Sequence, residues 1–79
     1  MNGFEHGPYV VFPVGQQLRN EDGTPGKWMA LASVTRWSGA QVLAVPVSWY
    51  PPPFDTEAEA ADYAARAARE MINAGRCKI

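Results

Sequence analysis

Histidine and cysteine are the residue types most often used as transition-metal ligands and among the most reactive in catalysis, and this sequence has one of each, at opposite ends of the chain. The chain contains one histidine, His6, and one cysteine, Cys77. A metal site, or a nucleophile with its base, needs several such groups close together. A single cysteine also excludes an intrachain disulfide and a cysteine-based zinc site. We therefore expect no metal and no cofactor, and we expect Cys77 to be incidental, with an intermolecular disulfide or a reactive thiol beside Arg76 and Lys78 as the alternatives.

Acid and base chemistry by carboxylates is the other possibility, and the acidic residues are poorly placed for it. Glu57 and Glu59 stand where a helix begins, and capping and the helix dipole explain them without catalysis. Three prolines at 51–53 precede that helix, and a proline offers no N–H group to bind a phosphate. We therefore predict that the chain is not an enzyme, with no catalytic residues and no small-molecule substrate.

Length and composition limit the remaining functions. With 79 residues, the chain forms one domain, 1–79, whose core is barely large enough for independent stability. The sequence is 47% hydrophobic and 19% charged, and no apolar run approaches the roughly 20 residues of a membrane span. The formal net charge is −1, whereas nucleic-acid-binding proteins typically carry a clear excess of positive charge. The first residues lack the pattern of a secretory signal, so we expect a cytoplasmic protein without a membrane segment.

Three stretches rich in β-branched and aromatic residues predict strands at about 9–14, 28–36 and 41–50. Proline cannot donate a hydrogen bond between strands, so Pro13 and Pro46 place the first and third strands on the outside. The proline-free second strand then takes the centre. The sequence predicts a three-stranded antiparallel meander in the order 1-2-3.

One helix should follow the sheet. The prolines at 51–53 predict a stiff connector, and Thr56 with Glu59 three residues later forms a capping-box pattern. Gly75 stands where a C-terminal cap is expected. The helix is predicted at about 57–73, which gives an α+β protein with one C-terminal helix on its sheet.

Both faces of the predicted sheet are largely apolar, although one helix can cover only one of them. We expect the helix alanines to meet the bulkier side chains of the second strand, together with Phe12, because large and small side chains interdigitate. The opposite side of that strand would then stay open and form an interface. Its residues are Trp28, Ala30, Ala32 and Val34.

An uncovered apolar face on a small protein usually marks an interaction site. We therefore predict a small interaction module that forms a homodimer or binds another protein through this face. The alternative is that the N-terminal segment, with Phe4, folds across it.

Several motifs resemble known families. An early Tyr-Val-x-x-Pro, a central Trp and a helix opened by Phe-x-Thr-x-x-Glu-Ala are similar to small bacterial β-β-β-α domains of unknown function. This resemblance covers nearly the whole chain and implies a fold without an activity. Its residues are Tyr9, Val10, Pro13, Trp28, Phe54, Thr56, Glu59 and Ala60.

Residues 26–69 also resemble, more distantly, the plant APETALA2/ethylene-response-factor DNA-binding domain. The resemblance rests on Gly-Lys-Trp at 26–28, Phe-Asp-Thr at 54–56, Glu-Ala-Ala at 59–61 and Arg-Ala-Ala at 66–68. It implies a three-stranded sheet that reads the major groove of DNA, with Trp28 and Arg36 as the reading residues. DNA affinity depends on neutralising phosphates, and the net charge of the chain argues against this alternative.

Overall fold

A computed structural model describes residues 3–77 as four strands followed by one helix. The elements are β1 (Phe4–His6), β2 (Tyr9–Arg19), β3 (Pro25–Ser38), β4 (Gln41–Phe54) and α1 (Glu57–Asn73). The strands form one antiparallel sheet in the order β1-β2-β3-β4, and α1 packs on one of its faces. The α+β class with one C-terminal helix is confirmed. The expected three-stranded sheet is wrong, because β1 adds a fourth strand.

The additional strand β1 depends on a tight turn at Gly7. Gly7 adopts a φ of 61°, a left-handed conformation that glycine reaches without a steric penalty. The chain reverses there, and His6 pairs with Tyr9. Three residues are too few to show an alternating pattern, so this strand cannot be predicted from the periodicity of the sequence.

Contacts with the helix hold β1 in place. The guanidinium carbon of Arg69 lies 4.3 Å from the ring centre of Phe4, which is a cation–π contact. Near the end of the helix, His6 Nε2 lies 2.8 Å from Asn73 Oδ1. The helix therefore fixes β1 as well as the three long strands.

The long strands run further than their sequence pattern indicated. β2 and β3 are joined by a compact turn in which the Gly23 N–H donates to the Asn20 carbonyl at 2.9 Å. β3 and β4 are joined by a two-residue turn at Gly39 and Ala40, with Ser38 paired to Gln41. Strand pairing therefore continues beyond the predicted bounds, to Arg19 and Pro25 next to the first turn and to Ser38 next to the second.

Strand β4 continues through the prolines that were predicted to be a connector. Trp28 pairs with Phe54 and Ala30 pairs with Trp49, so residues 50–53 stand opposite the single residue Met29. An outermost strand can accommodate such a bulge, since proline needs no partner on the solvent side. The prediction that the strand ends at residue 50 is therefore wrong.

The helix matches its predicted bounds at both ends. Thr56 has an extended backbone, and its side-chain oxygen accepts a hydrogen bond from the Glu59 N–H at 3.2 Å. At the other end, Gly75 has a φ of 71°, and its N–H donates to the Ile72 carbonyl at 3.0 Å. The Arg76 N–H donates to Met71, which completes a Schellman motif.

The sheet is about twice as long as the helix. β3 contains 14 residues, which span about 46 Å at 3.3 Å per residue. The 17 residues of α1 span only about 26 Å. The molecule measures 47 × 22 × 20 Å, so its long axis is the length of the sheet.

The core consists of small side chains from both the helix and the sheet. The fully buried members on the sheet are Val11, Pro13, Ala30 and Val34, and Ala32 is 3% exposed. The buried helix residues are Ala60, Ala61, Ala64, Ala65 and Ala68. The helix therefore covers the side of β3 that carries the small residues, which reverses the expected assignment of the two faces.

Close approach of the helix explains this choice of face. A Cβ placed on Gly15 would lie 2.8 Å from the Glu57 carbonyl oxygen, so the first turn of the helix nearly touches the backbone of β2. Such an approach requires small residues on both surfaces. Leu31 and Met29, on the other side of β3, would hold the helix further away.

Candidate functional site: the open sheet face

The side of the sheet that the helix does not cover is the main candidate for a functional site. Phe12 pairs with Ser33, and Ser33 pairs with Pro46, so these residues form one row across the three long strands. Side chains alternate between the two faces along a strand. The open face therefore comprises Val10, Phe12, Val14, Gln16, Met29, Leu31, Ser33, Thr35, Trp37, Val42, Ala44, Pro46, Ser48 and Tyr50, with Glu5 of β1 at its margin.

Large apolar side chains on the open face are exposed to solvent. Phe12 is 46% exposed, Val14 is 47%, Val42 is 53%, Trp37 is 68% and Tyr50 is 85%. Single exposed apolar residues are ordinary, but a contiguous group of this kind is typical of an interaction surface. Within residues 3–77, no other strand or helix packs over it, and the contact that touches it from outside the strands is that of Gly3 with the Phe12 ring.

Charged side chains are confined to the ends of the three long strands. The charged residues of β2, β3 and β4 are Arg19, Lys27 and Arg36. Lys27 forms an exposed ion pair with Asp55 at 3.3 Å. The centre of the open face is thus uncharged, and covering it would not require the removal of water from an ionised group.

The two long outer strands are poor templates for an additional strand. β4 is outermost, and it contains Pro46 and the prolines at 51–53. Within residues 3–77, β1 pairs with β2 only as far as Val11, so Pro13 lies where β2 itself becomes an edge. Each proline removes a donor that a further strand would need. Prolines therefore interrupt the long edges of the sheet, while one face stays open.

The residues predicted to form the interface lie on the other side of β3. Ala30, Ala32 and Val34 are buried between the sheet and the helix, and Trp28 belongs to the same side and is half-buried. Ala30, Ala32 and Val34 cannot make the expected contact, because α1 covers this side of the sheet. The structure therefore contradicts an interface at these three residues, and the side of the sheet that stays uncovered is the opposite one.

Phe4 does not cover the open face either. Its pairing with Val11 places it on the helix side, where Arg69 packs over its ring. The expectation that Phe4 covers this face is therefore wrong, whereas Gly3 does lie against the Phe12 ring on the open face. Residues 1–2, which belong to the same predicted segment, lie outside the described residues.

The two residues proposed for reading DNA are separated. Trp28 and Arg36 both lie on the helix side of β3, eight residues apart, or about 26 Å. The open face carries neither of them, so they do not form a common surface of the kind that the resemblance implies.

The reactive side chains found in the sequence do not come together. His6 lies next to the end of the helix, and Cys77 is half-buried against Val45 and Val47. Glu57 and Glu59 are exposed in the first turn of α1. In the part of the chain that the structure describes, no three His, Cys, Asp or Glu side chains are placed to hold a metal ion.

A shallow groove runs between the helix and β4. Its volume is about 460 Å³, and one acid, Glu70, and one base, Arg76, stand among its lining residues. The rest of the lining is Trp49, Tyr63, Ala67, Met71 and Ala74. The groove offers apolar contact without a buried polar group that would orient a substrate.

One carboxylate has a perturbed pKa, and its cause is local. Asp22 accepts hydrogen bonds from the Thr24 hydroxyl at 2.6 Å and from the Thr24 N–H at 3.0 Å. These bonds favour the ionised form and lower the pKa of Asp22 below that of an ordinary aspartate. The group is exposed in the turn between β2 and β3, where its role is to order that turn.

The match between small residues on the helix and small residues on one side of the sheet is the sequence signal that could have identified the open face. The helix contributes alanines, and an alanine surface can approach a sheet closely where the sheet is also lined by small residues. Ala30, Ala32 and Gly15 on neighbouring strands form such a surface. The expectation that bulky residues fill the space beside alanines selected the wrong side.

The chain matches no protein-family model, no curated protein and no solved structure. The two family resemblances of the sequence therefore stay predictions. Within the described residues, no helix has both the length and the apolar character needed to cross a membrane. The protein is thus a small α+β domain in which, within the described residues, no helix or further strand covers one apolar face of the sheet.

Proposed function

We propose that this protein is a small interaction module that self-associates through the open sheet face. The observation that carries the proposal is the exposure of Phe12, Val14 and Trp37 on a surface with an uncharged centre. Burial of such side chains stabilises an association by about 25 cal/mol per Å². A short chain gains in particular, because a second copy enlarges a core built mostly of alanine and valine.

The area of the open face is sufficient for a dimer. β2, β3 and β4 contain 11, 14 and 14 residues. Each residue of a sheet occupies about 16 Å², from a rise of 3.3 Å and a strand spacing of 4.8 Å, so the face covers roughly 600 Å². Two copies would bury roughly 1,200 Å² together, which is the lower limit of stable specific interfaces.

The prolines on the outer strands favour association through the face over association through the edge. A second copy that extended the sheet beside Pro46 would leave carbonyl groups without donors. A second copy that packs on the open face meets no such cost, because the backbone groups there are already paired between strands. The proposed dimer is therefore a sandwich of two sheets with the helices on the outside.

The experiment that tests the proposal measures the mass in solution by light scattering at several concentrations. The wild-type chain, of 8.7 kDa, is expected at twice that mass, and Val14→Glu is expected as a monomer. Val14 is 47% exposed in the single chain, so a charge there is compatible with folding but is costly once covered. The dissociation constant should rise at least tenfold, the equivalent of about 1.4 kcal/mol.

Ala58→Glu is the matched control, because Ala58 is exposed on α1, away from the open face. It adds the same charge and should leave the dimer intact. A wild-type monomer at every concentration, or a Val14→Glu mass equal to that of the wild type, would contradict the proposal.

A further inference from the structure

We infer that the groove between α1 and β4 binds a small zwitterion that carries a quaternary ammonium group and a carboxylate. The ammonium end of the ligand lies between Trp49, Tyr63 and Glu70, and its carboxylate faces Arg76. The site is on the helix side of the sheet, so the inference does not depend on association through the open face.

The groove exists because the helix lies over β2 and β3 and leaves β4 partly uncovered. Val11, Val34 and Val45 form one row across the three long strands on the helix side. Val11 and Val34 are fully buried, whereas Val45 is half-buried. Trp49, on the same side of β4, is also half-buried. Apolar surface of β4 therefore stays accessible beside the helix, in a groove of about 460 Å³, a volume typical of ligand pockets.

Tyr63, Ala67 and Glu70 form the helix wall of the groove. Their spacing of four and three residues places them on one side of α1. Ala67 is small, so a space is left between the longer side chains one turn to either side of it. Phe54 packs against Tyr63, with 5.4 Å between the ring centres, and holds that ring in place. The space is thus bounded by an aromatic ring, a carboxylate and, from β4, Trp49.

The charged groups of the groove are not paired with each other. Within residues 3–77, neither Glu70 nor Arg76 forms an ion pair. Arg66 lies one turn before Glu70 and does not pair with it either. An acid and a base that line one groove without neutralising each other are complementary to a ligand with one charge of each sign.

The aromatic residues of the groove are also available to a cation. In the part of the chain that the structure describes, no guanidinium lies over the ring of Trp49 or Tyr63. The negative face of an aromatic ring attracts a cation, and groups of aromatic side chains bind quaternary ammonium ligands in this way. A quaternary ammonium group has no N–H to donate, so the absence of a buried polar acceptor in the groove costs it no hydrogen bond.

Titration with glycine betaine, a trimethylammonium carboxylate, tests the inference by NMR. The indole N–H of Trp49 and the amides of Ala67 and Glu70 are expected to shift at millimolar concentrations of the ligand. Nuclear Overhauser effects should connect the ligand methyl groups with the rings of Trp49 and Tyr63. The anion of tert-butylacetic acid is the matched control ligand, because it has the same shape and carboxylate but a neutral carbon in place of the charged nitrogen. It should bind roughly tenfold more weakly.

Two variants test the two charges of the site separately. Glu70→Gln should weaken the binding of glycine betaine roughly threefold. Arg76→Gln should weaken it as well, but should not weaken the binding of tetramethylammonium, which has no carboxylate. Asp62→Asn is the control variant, because Asp62 is exposed on α1 and lines the cleft beside Phe4 instead of this groove. All three substituted residues are exposed, so circular dichroism should show an unchanged fold.

Several results would overturn the inference. Equal binding of the two matched ligands would mean that the groove responds to shape and carboxylate without reading the cation. Shifts confined to the open face, around Phe12 and Trp37, would place the ligand elsewhere. An absence of shifts at Trp49, or wild-type binding by Glu70→Gln, would contradict the site directly. None of these results changes the mass expected in solution, so the proposed self-association stands or fails on its own test.

Discussion

Replacement of Gly15 by alanine tests the close contact between the helix and the sheet. A Cβ at this position would lie 2.8 Å from the Glu57 carbonyl oxygen, 3.1 Å from Ala60 Cβ and 3.2 Å from Glu57 Cα. Two of the three contacts are to the helix backbone, which cannot rotate away as a side chain can. The first turn of α1 must therefore move for the substitution to fit.

Two opposing effects set the size of the change in stability. Forcing an extra carbon into a well-packed core costs about 1–3 kcal/mol. Alanine restricts the unfolded chain more than glycine does, and this gain is about 0.5–1 kcal/mol. The net expectation for Gly15→Ala is a loss of roughly 1–2 kcal/mol. For a domain of this length the loss corresponds to a fall in Tm of roughly 5–15 °C.

Thermal unfolding followed by circular dichroism measures this difference, with all variants at one protein concentration because a dimer makes Tm depend on concentration. Gln41→Ala is the control, since Gln41 is exposed at the start of β4, away from both the helix contact at Gly15 and the open face, and its Tm should stay near that of the wild type. A Gly15→Ala variant as stable as the wild type, or more stable, would refute the argument that the helix lies against the backbone of β2.

Three further predictions concern other parts of the fold. Thr56→Ala removes the acceptor for the Glu59 N–H and should lower the free energy of unfolding by about 1 kcal/mol, measured in urea, with an unchanged value arguing against the cap. Because its pKa is lowered in the folded chain, Asp22 stabilises the turn above the pKa of an ordinary aspartate and loses this effect as pH falls through its own pKa. The Thr24 amide resonance in NMR should follow that titration, and a midpoint at or above the ordinary value would contradict it. Ala68→Leu adds a large side chain at a position with 0% exposure and should cost about 1–3 kcal/mol by overpacking, whereas a stability equal to the wild type would indicate unfilled space.

The helix and the strand centres could be predicted because their determinants are local. Thr56, Glu59 and Gly75 specify the ends of α1 through bonds within a few residues of each end. The interior position of β3 followed from the absence of proline between residues 28 and 36. Strand β1 could not be predicted, because its three residues gain their stability from distant contacts such as that between Phe4 and Arg69.

The existence of an uncovered apolar face could be predicted from the sequence, but which side of the sheet it is could not. Both sides of β3 are apolar, so the sequence showed that one helix would leave an apolar side uncovered. Which side stays uncovered depends on how closely the helix can approach each side of the sheet. That approach is set jointly by Gly15, Ala30 and the helix alanines. The strand register that brings Gly15 beside Ala30 is fixed by tertiary contacts, so a strand-by-strand reading of the sequence misses it.

The difference in length between the sheet and the helix has a consequence for hydrogen exchange. Amides in the middle of β3, around Ala32 and Val34, lie under the helix and are released only when the whole domain unfolds. The two ends of β3, near Pro25 and Ser38, extend beyond the helix. Amides there exchange when the strand ends fray locally, without unfolding of the whole domain. Protection factors should therefore form a peak along each strand, high at the centre and low at both ends. A binding partner that covers the open face would raise the protection factors at the strand ends and so reduce their difference from those at the centre.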